Sequence, residues 1–102
     1  MQKKKEYLNS YLNQETLIER YYQMLLKNPE NKDYYNQKIL KAKALRKDIE
    51  LKISEVGDET LCELLFQKYV FGKTLEEISY IINYSKRHTE RLHIKALEKF
   101  NM

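Results

Sequence analysis

The sequence predicts an all-α fold, an N-terminal long helical hairpin followed by a helix-turn-helix unit, and three observations carry that expectation. Apolar residues recur at helical spacing through nearly the whole chain. Gly and Pro together number three in 102 residues, too few to punctuate the short strands of a sandwich or barrel. Two helix-start signals, at Thr74 and Ser85, follow closely on one another near the C-terminus.

The first helix is expected from Gln2 to Lys27, where Tyr7, Leu8, Tyr11, Leu12, Leu17, Ile18, Tyr21, Tyr22, Leu25 and Leu26 repeat as adjacent pairs. Paired columns make a stripe wider than a two-stranded seam, so this helix should touch more than one neighbour. Asn28-Pro29-Glu30 stops it and starts the next: Asn28 can cap, Pro29 suits a first helical position, and Glu30 favours the positive end of the dipole.

The second helix, expected over 29–56, sets Tyr35, Ile39, Ala42, Ile49, Ile53 and Val56 on one face with Leu45 beside it. This heptad-like seam is interrupted where Arg46 takes an apolar slot. Both helices would be about 39 Å long at ~1.5 Å per residue, and the tight connection predicts an antiparallel pair. Gly57 suits a left-handed helix end and Asp58 a cap for a third helix over 58–71, with Leu61, Leu64, Leu65, Tyr69 and Val70 inward. Gly72-Lys73 is the next turn. The chain thus divides at 56/57, into residues 1–56, a dimerisation or partner region, and residues 57–102, the helix-turn-helix.

Composition narrows the function. The longest purely apolar run is about three residues, far short of the ~20 that cross a bilayer, and no apolar segment follows the basic start Lys3-Lys4-Lys5 as a secretory signal would require. A single Cys62 gives no disulfide or metal tetrad and fits a reducing cytoplasm, with Cys62 packing as a small apolar residue. Net charge is +4, distributed as +4 over 1–56, −3 over 57–84 and +3 over 85–102. A basic terminal segment directly after an acidic one is the asymmetry of a helix that faces a polyanion.

Thr74-Leu75-Glu76-Glu77 is a capping box that starts a helix at Thr74. Asn83 tolerates left-handed backbone and Ser85 caps again, so a helix of about nine residues gives way to a three-residue turn. The last helix, 86–100, is expected to bury Thr89, Leu92, Ala96, Leu97 and Phe100 and to show Lys86, Arg87, His88, Glu90, Arg91 and Lys95 outside. A capped short helix, a tight turn and a second helix with a basic outer face make a helix-turn-helix whose second helix enters the major groove of double-stranded DNA. Ser79 supplies the small residue at the helix crossing, and Tyr84 is expected to plug the core beside Ile78 and Ile82.

The stretch LLFQKYVFGKTLEEISYIINYSKRHTERLHIKALEKF resembles the C-terminal promoter-reading domain of sigma-70-class factors. The likeness lies in a Tyr before a Gly turn, an acidic pair, Ile with a small residue, then a Ser and a closing Ala-Leu-x-Lys-aromatic. Asn83 stands where such domains usually carry Gly, Ser79 where Ala is usual, and Glu90 lies on the reading face. Nothing resembles the sigma region that melts promoter DNA, so the resemblance implies a protein that acts beside RNA polymerase or without it. Long helices ahead of this domain resemble small phage and mobile-element late-gene transcription regulators of the ArpU and RinA kind.

Enzyme chemistry is not expected. His88 and His93 are five apart on one helix, off any common face and without a third ligand, so no metal is expected and both are read as solvent-facing. Glu76 and Glu77 are absorbed by the helix start, and no Gly-rich phosphate loop or nucleophile elbow occurs, so no cofactor is expected.

The expected function is a sequence-specific DNA-binding transcription regulator. Lys86, Arg87, His88, Glu90 and Arg91 would read or align on bases, with Lys73, Lys95 and Lys99 on phosphates. One helix-turn-helix makes few base contacts, so a homodimer is expected through residues 1–56 with Tyr11, Ile18, Tyr22 and Leu25 at the interface. Two other readings stay open: a sigma-like module that holds a polymerase or another regulatory protein without strong DNA binding, and a small-terminase-like DNA-packaging accessory.

Overall fold

The computed structural model describes every residue, Met1–Met102, and consists of helices joined by short turns. They are α1 (Gln2–Lys27), a 3₁₀ turn (Pro29–Asn31), α2 (Lys32–Ser54), α3 (Glu59–Leu65) running on into a π-helical turn (Phe66–Val70), α4 (Leu75–Ile82) and α5 (Lys86–Lys99). No helix is long and apolar enough to cross a membrane.

α1 has the bounds that its periodicity predicts. α2 is shorter than the expected 29–56, because Pro29 opens a 3₁₀ turn and regular α-helix starts only at Lys32. Asn28 does not cap as expected; its side-chain amide donates back to the Met24 carbonyl at 3.4 Å, closing α1 instead of opening α2.

The two long helices run antiparallel, and their cross-contacts show the register. Tyr7 donates to Asp48, Glu15 pairs with Arg46 at 3.6 Å, and the Tyr22 hydroxyl accepts from Lys43 at 2.9 Å. Arg46 divides what lies between them. On its distal side Ile18, Ile39 and Ala42 form a small apolar cluster with Tyr21 and Leu25 against it. On the other side lies a core of ten buried residues, and Nε of Arg46 is buried between them without a hydrogen-bond partner.

That main core decides the architecture. Leu8 and Tyr11 of α1 and Ile49 and Ile53 of α2 pack directly on Leu61, Leu65, Tyr69, Ala96, Leu97 and Phe100. The boundary expected at 56/57 therefore separates helices but not cores. Gly57, at φ +85°, turns the chain out of α2, and Asp58 caps α3 by accepting from the Leu61 amide at 3.0 Å. Cys62 is half-buried, with its thiol donating to the Ile53 carbonyl at 3.2 Å.

The segment expected as one helix over 58–71 changes pitch after Leu65: the Phe71 amide donates five residues back, to Phe66, at 3.0 Å. Gly72, at φ +72°, then reverses the chain against α1; a Cβ there would stand 3.5 Å from a Leu12 methyl. The far end of α5 is tied to α1 as well, since Lys4 Nζ donates to the carbonyls of Leu97 at 2.9 Å and Glu98 at 3.3 Å. A lysine there satisfies acceptors that a helix C-terminus leaves open.

Candidate nucleic-acid interface

The α4–turn–α5 segment is held by local hydrogen bonds at each joint. Thr74 accepts from the Glu77 amide at 3.2 Å while Glu77 accepts from the Thr74 amide at 3.0 Å, so the expected capping box is complete. Those bonds also hold the Glu77 carboxyl below the usual range. Asn83 takes the left-handed conformation, φ 61° and ψ 40°, and Ser85 caps α5 by accepting from the His88 amide at 3.1 Å. Inside the bend, Ile78 and Ser79 of α4 and Thr89 of α5 are buried, with the Thr89 hydroxyl donating to the Ser85 carbonyl at 2.8 Å.

With that side of α5 buried, Lys86, Arg87, His88, Glu90, Arg91, Lys95 and Lys99 all stay exposed, as does Lys73 in the preceding turn. Arg87, Arg91 and Lys95 follow at four-residue steps and form one outward stripe. The first turn of α5 carries no carboxylate; it presents Lys86 and Arg87 at the positive end of the helix dipole. Cations there are disfavoured by a few tenths of a kcal/mol to ~1 kcal/mol and are relieved by an anion. α4 differs, with Glu76 and Glu77 in its first turn.

Glu90 lies apart from this stripe. It lines an open groove of about 530 Å³ with Lys68, Lys73, Glu76, Lys86 and Leu12. The chain contains two ion pairs, Arg46–Glu15 and Lys52–Asp48, so no exposed cation of α5 is neutralised by a carboxylate within the molecule.

Comparison with protein-family models, with curated proteins and with solved structures finds no match to this chain. What α5 can do therefore rests on its own geometry.

Three side chains differ from expectation. Tyr84 does not plug the core: it is 46% exposed and lies against His88, ring centres 4.7 Å apart. Ile78 is fully buried and Ile82 half-buried without it. His93 is not solvent-facing but buried, with Nε2 2.7 Å from the Tyr69 hydroxyl. Burial first, then the charges of Lys68 and Lys5, push its imidazole down to about 4, so it is neutral near pH 7 and can accept from the phenol. Burial likewise raises Tyr69 to about 12. The available signal was spacing, because residue 93 stands four positions from both Thr89 and Leu97. Leu92, the third, was expected buried but is half-buried, packing against the main core.

On α1, Tyr11 and Ile18 are only 5% and 7% exposed, covered by the chain's own helices. Leu25 is half-buried in the distal cluster. Of the four residues expected at a dimer interface, Tyr22 alone is open, at 45%. α2 covers one apolar column and the α3–α5 unit part of the other, while Leu12, Tyr22 and Leu26 stay exposed.

Proposed function

We propose that the chain is a sequence-specific DNA-binding transcription regulator, of the phage and mobile-element kind suggested by its sigma-like sequence, with α4–turn–α5 acting as a helix-turn-helix. The observation that carries this reading is the unpaired cationic stripe Arg87, Arg91, Lys95 on the open side of a helix whose positive end holds no carboxylate. A phosphate backbone supplies the missing anion, and arginine side chains reach guanine edges in the major groove. His88 and Tyr84 stand beside the stripe as a tilted ring pair that meets sugar or thymine methyl groups. A second copy supplies further base contacts, joined through the distal part of the long helices with Tyr22 and the exposed Leu26 in the interface. Genome-wide enrichment with the tagged protein tests this: a shared site upstream of a gene cluster is expected, and scattered recovery with no common sequence refutes specific recognition.

One observation favours a second reading. Tyr80 and Ile81 are exposed on α4 close to Glu76 and Glu77, an apolar and acidic surface pointing away from the core. Such a patch suits a protein partner, for example RNA polymerase. Substituting Tyr80 and Ile81 together by Ser, with DNA affinity unchanged and transcriptional output lost, would support that role.

A further inference from the structure

The groove beside α5 brings together three lysines that the chain order keeps apart. Lys68 comes from the π-helical turn, Lys73 from the turn before α4 and Lys86 from the first turn of α5. Leu12 of α1 closes the groove on one side, opposite the Gly72 reversal. Although Glu76 and Glu90 line the same groove, neither is within ion-pair distance of any of the three ammonium groups. Three lysines against two carboxylates leave the concavity net positive with no ion pair formed, and a bound anion offsets the remaining repulsion.

The π-helical turn gives this arrangement a structural cause. Five residues, Phe66–Val70, adopt the wider turn, and within it Tyr69 is buried while its neighbour Lys68 reaches the groove, its ammonium 5.6 Å from the Tyr69 ring centre. Such turns are uncommon and recur where a helix must re-aim a side chain for function. The aromatic face orients the lysine without neutralising it.

We propose that Lys68, Lys73 and Lys86 form a seat for a backbone phosphate of duplex DNA, flanking the bases that α5 reads. The seat rests on the DNA-binding reading above and extends it to a residue outside the helix-turn-helix. It fixes how α5 is inserted, because the phosphate is gripped from the π-helical turn and from α5 together, while α1 backs the groove. Glu76 and Glu90 limit the site to one phosphate by repelling the next.

Two measurements on the full chain test this with a short random-sequence duplex. Reductive methylation of lysines, read by mass spectrometry, should show Lys68, Lys73 and Lys86 protected by saturating duplex and the remote Lys41 unprotected. Replacing Lys68, Lys73 and Lys86 together by Gln should lower the slope of log affinity against log salt by about 0.9, the value for one phosphate, while replacing all three by Arg preserves it. Duplex binding with Lys68 unprotected, or an unchanged slope in the triple Gln variant, overturns the phosphate seat and leaves the DNA-binding reading standing. Absence of any duplex binding overturns both.

Discussion

The Tyr69 hydroxyl lies 2.7 Å from Nε2 of His93, joining the π-helical turn to the middle of α5 in the interior of the protein. The pair works with a neutral imidazole, so its contribution depends on pH. The folded value is about 4 against an ordinary 6.5, and between those the unfolded chain holds the extra proton. Stability from this pair is complete above 6.5 and is lost as pH falls toward 4. Thermal melting across that range should show a declining midpoint, and His93→Gln should flatten the decline. An equally steep decline in the variant would mean that other groups cause it.

Residues 57–102 should not fold alone. Four of the ten buried core residues, Leu8, Tyr11, Ile49 and Ile53, belong to α1 and α2. At ~1.5–3 kcal/mol for each fully buried side chain, their removal rivals the whole stability of a chain this size, about 5–15 kcal/mol. Circular dichroism of the fragment should show little helix and no cooperative melting. A cooperative transition would show that α3–α5 carry a sufficient core of their own.

Leu97→Ala should destabilise by ~2–5 kcal/mol, because Leu97 is completely buried. Leu92→Ala should be milder, about 1–2 kcal/mol, since its side chain is half-buried and leaves a smaller void. Denaturant titration of both gives the order, and a larger loss for Leu92→Ala would put the helix phase in error.

Arg46→Leu should stabilise the protein by about 1 kcal/mol, because it removes a buried N–H that lacks a partner and joins two apolar clusters into one. The Glu15 pair it sacrifices is half exposed and contributes little. A lower melting temperature in Arg46→Leu would show that the ion pair matters more than the missing hydrogen bond.

Arg91→Ala should lower affinity for a cognate site by ~1–3 kcal/mol and relax the preference at one base pair, as loss of a bidentate base contact does. Lys99→Ala should weaken cognate and random duplexes alike. Equal losses on both duplexes for Arg91→Ala would make it a phosphate contact.

What the sequence determined by itself was local. The capping box at Thr74, the cap at Ser85, the left-handed Asn83 and Gly57, and the bounds of α1 each depend on residues within a turn of one another, so nearest-neighbour chemistry is sufficient. The exposure of every candidate DNA contact on α5 followed the same way, from the phase of Thr89, Ala96 and Leu97 on the opposite side. Tertiary packing decided the rest. Tyr11 and Ile18 read as a surface for a second copy only until α2 is laid over them. His93 reads as solvent-facing only until Tyr69, twenty-four residues earlier, is brought to its ring. Lys68 acquires a shared groove only when the π-helical turn, α4 and α5 close around it. Periodicity reports which residues share a face, whereas burial, proton affinity and clustered charge depend on what another element places against that face, and distant residues meet only in the folded chain.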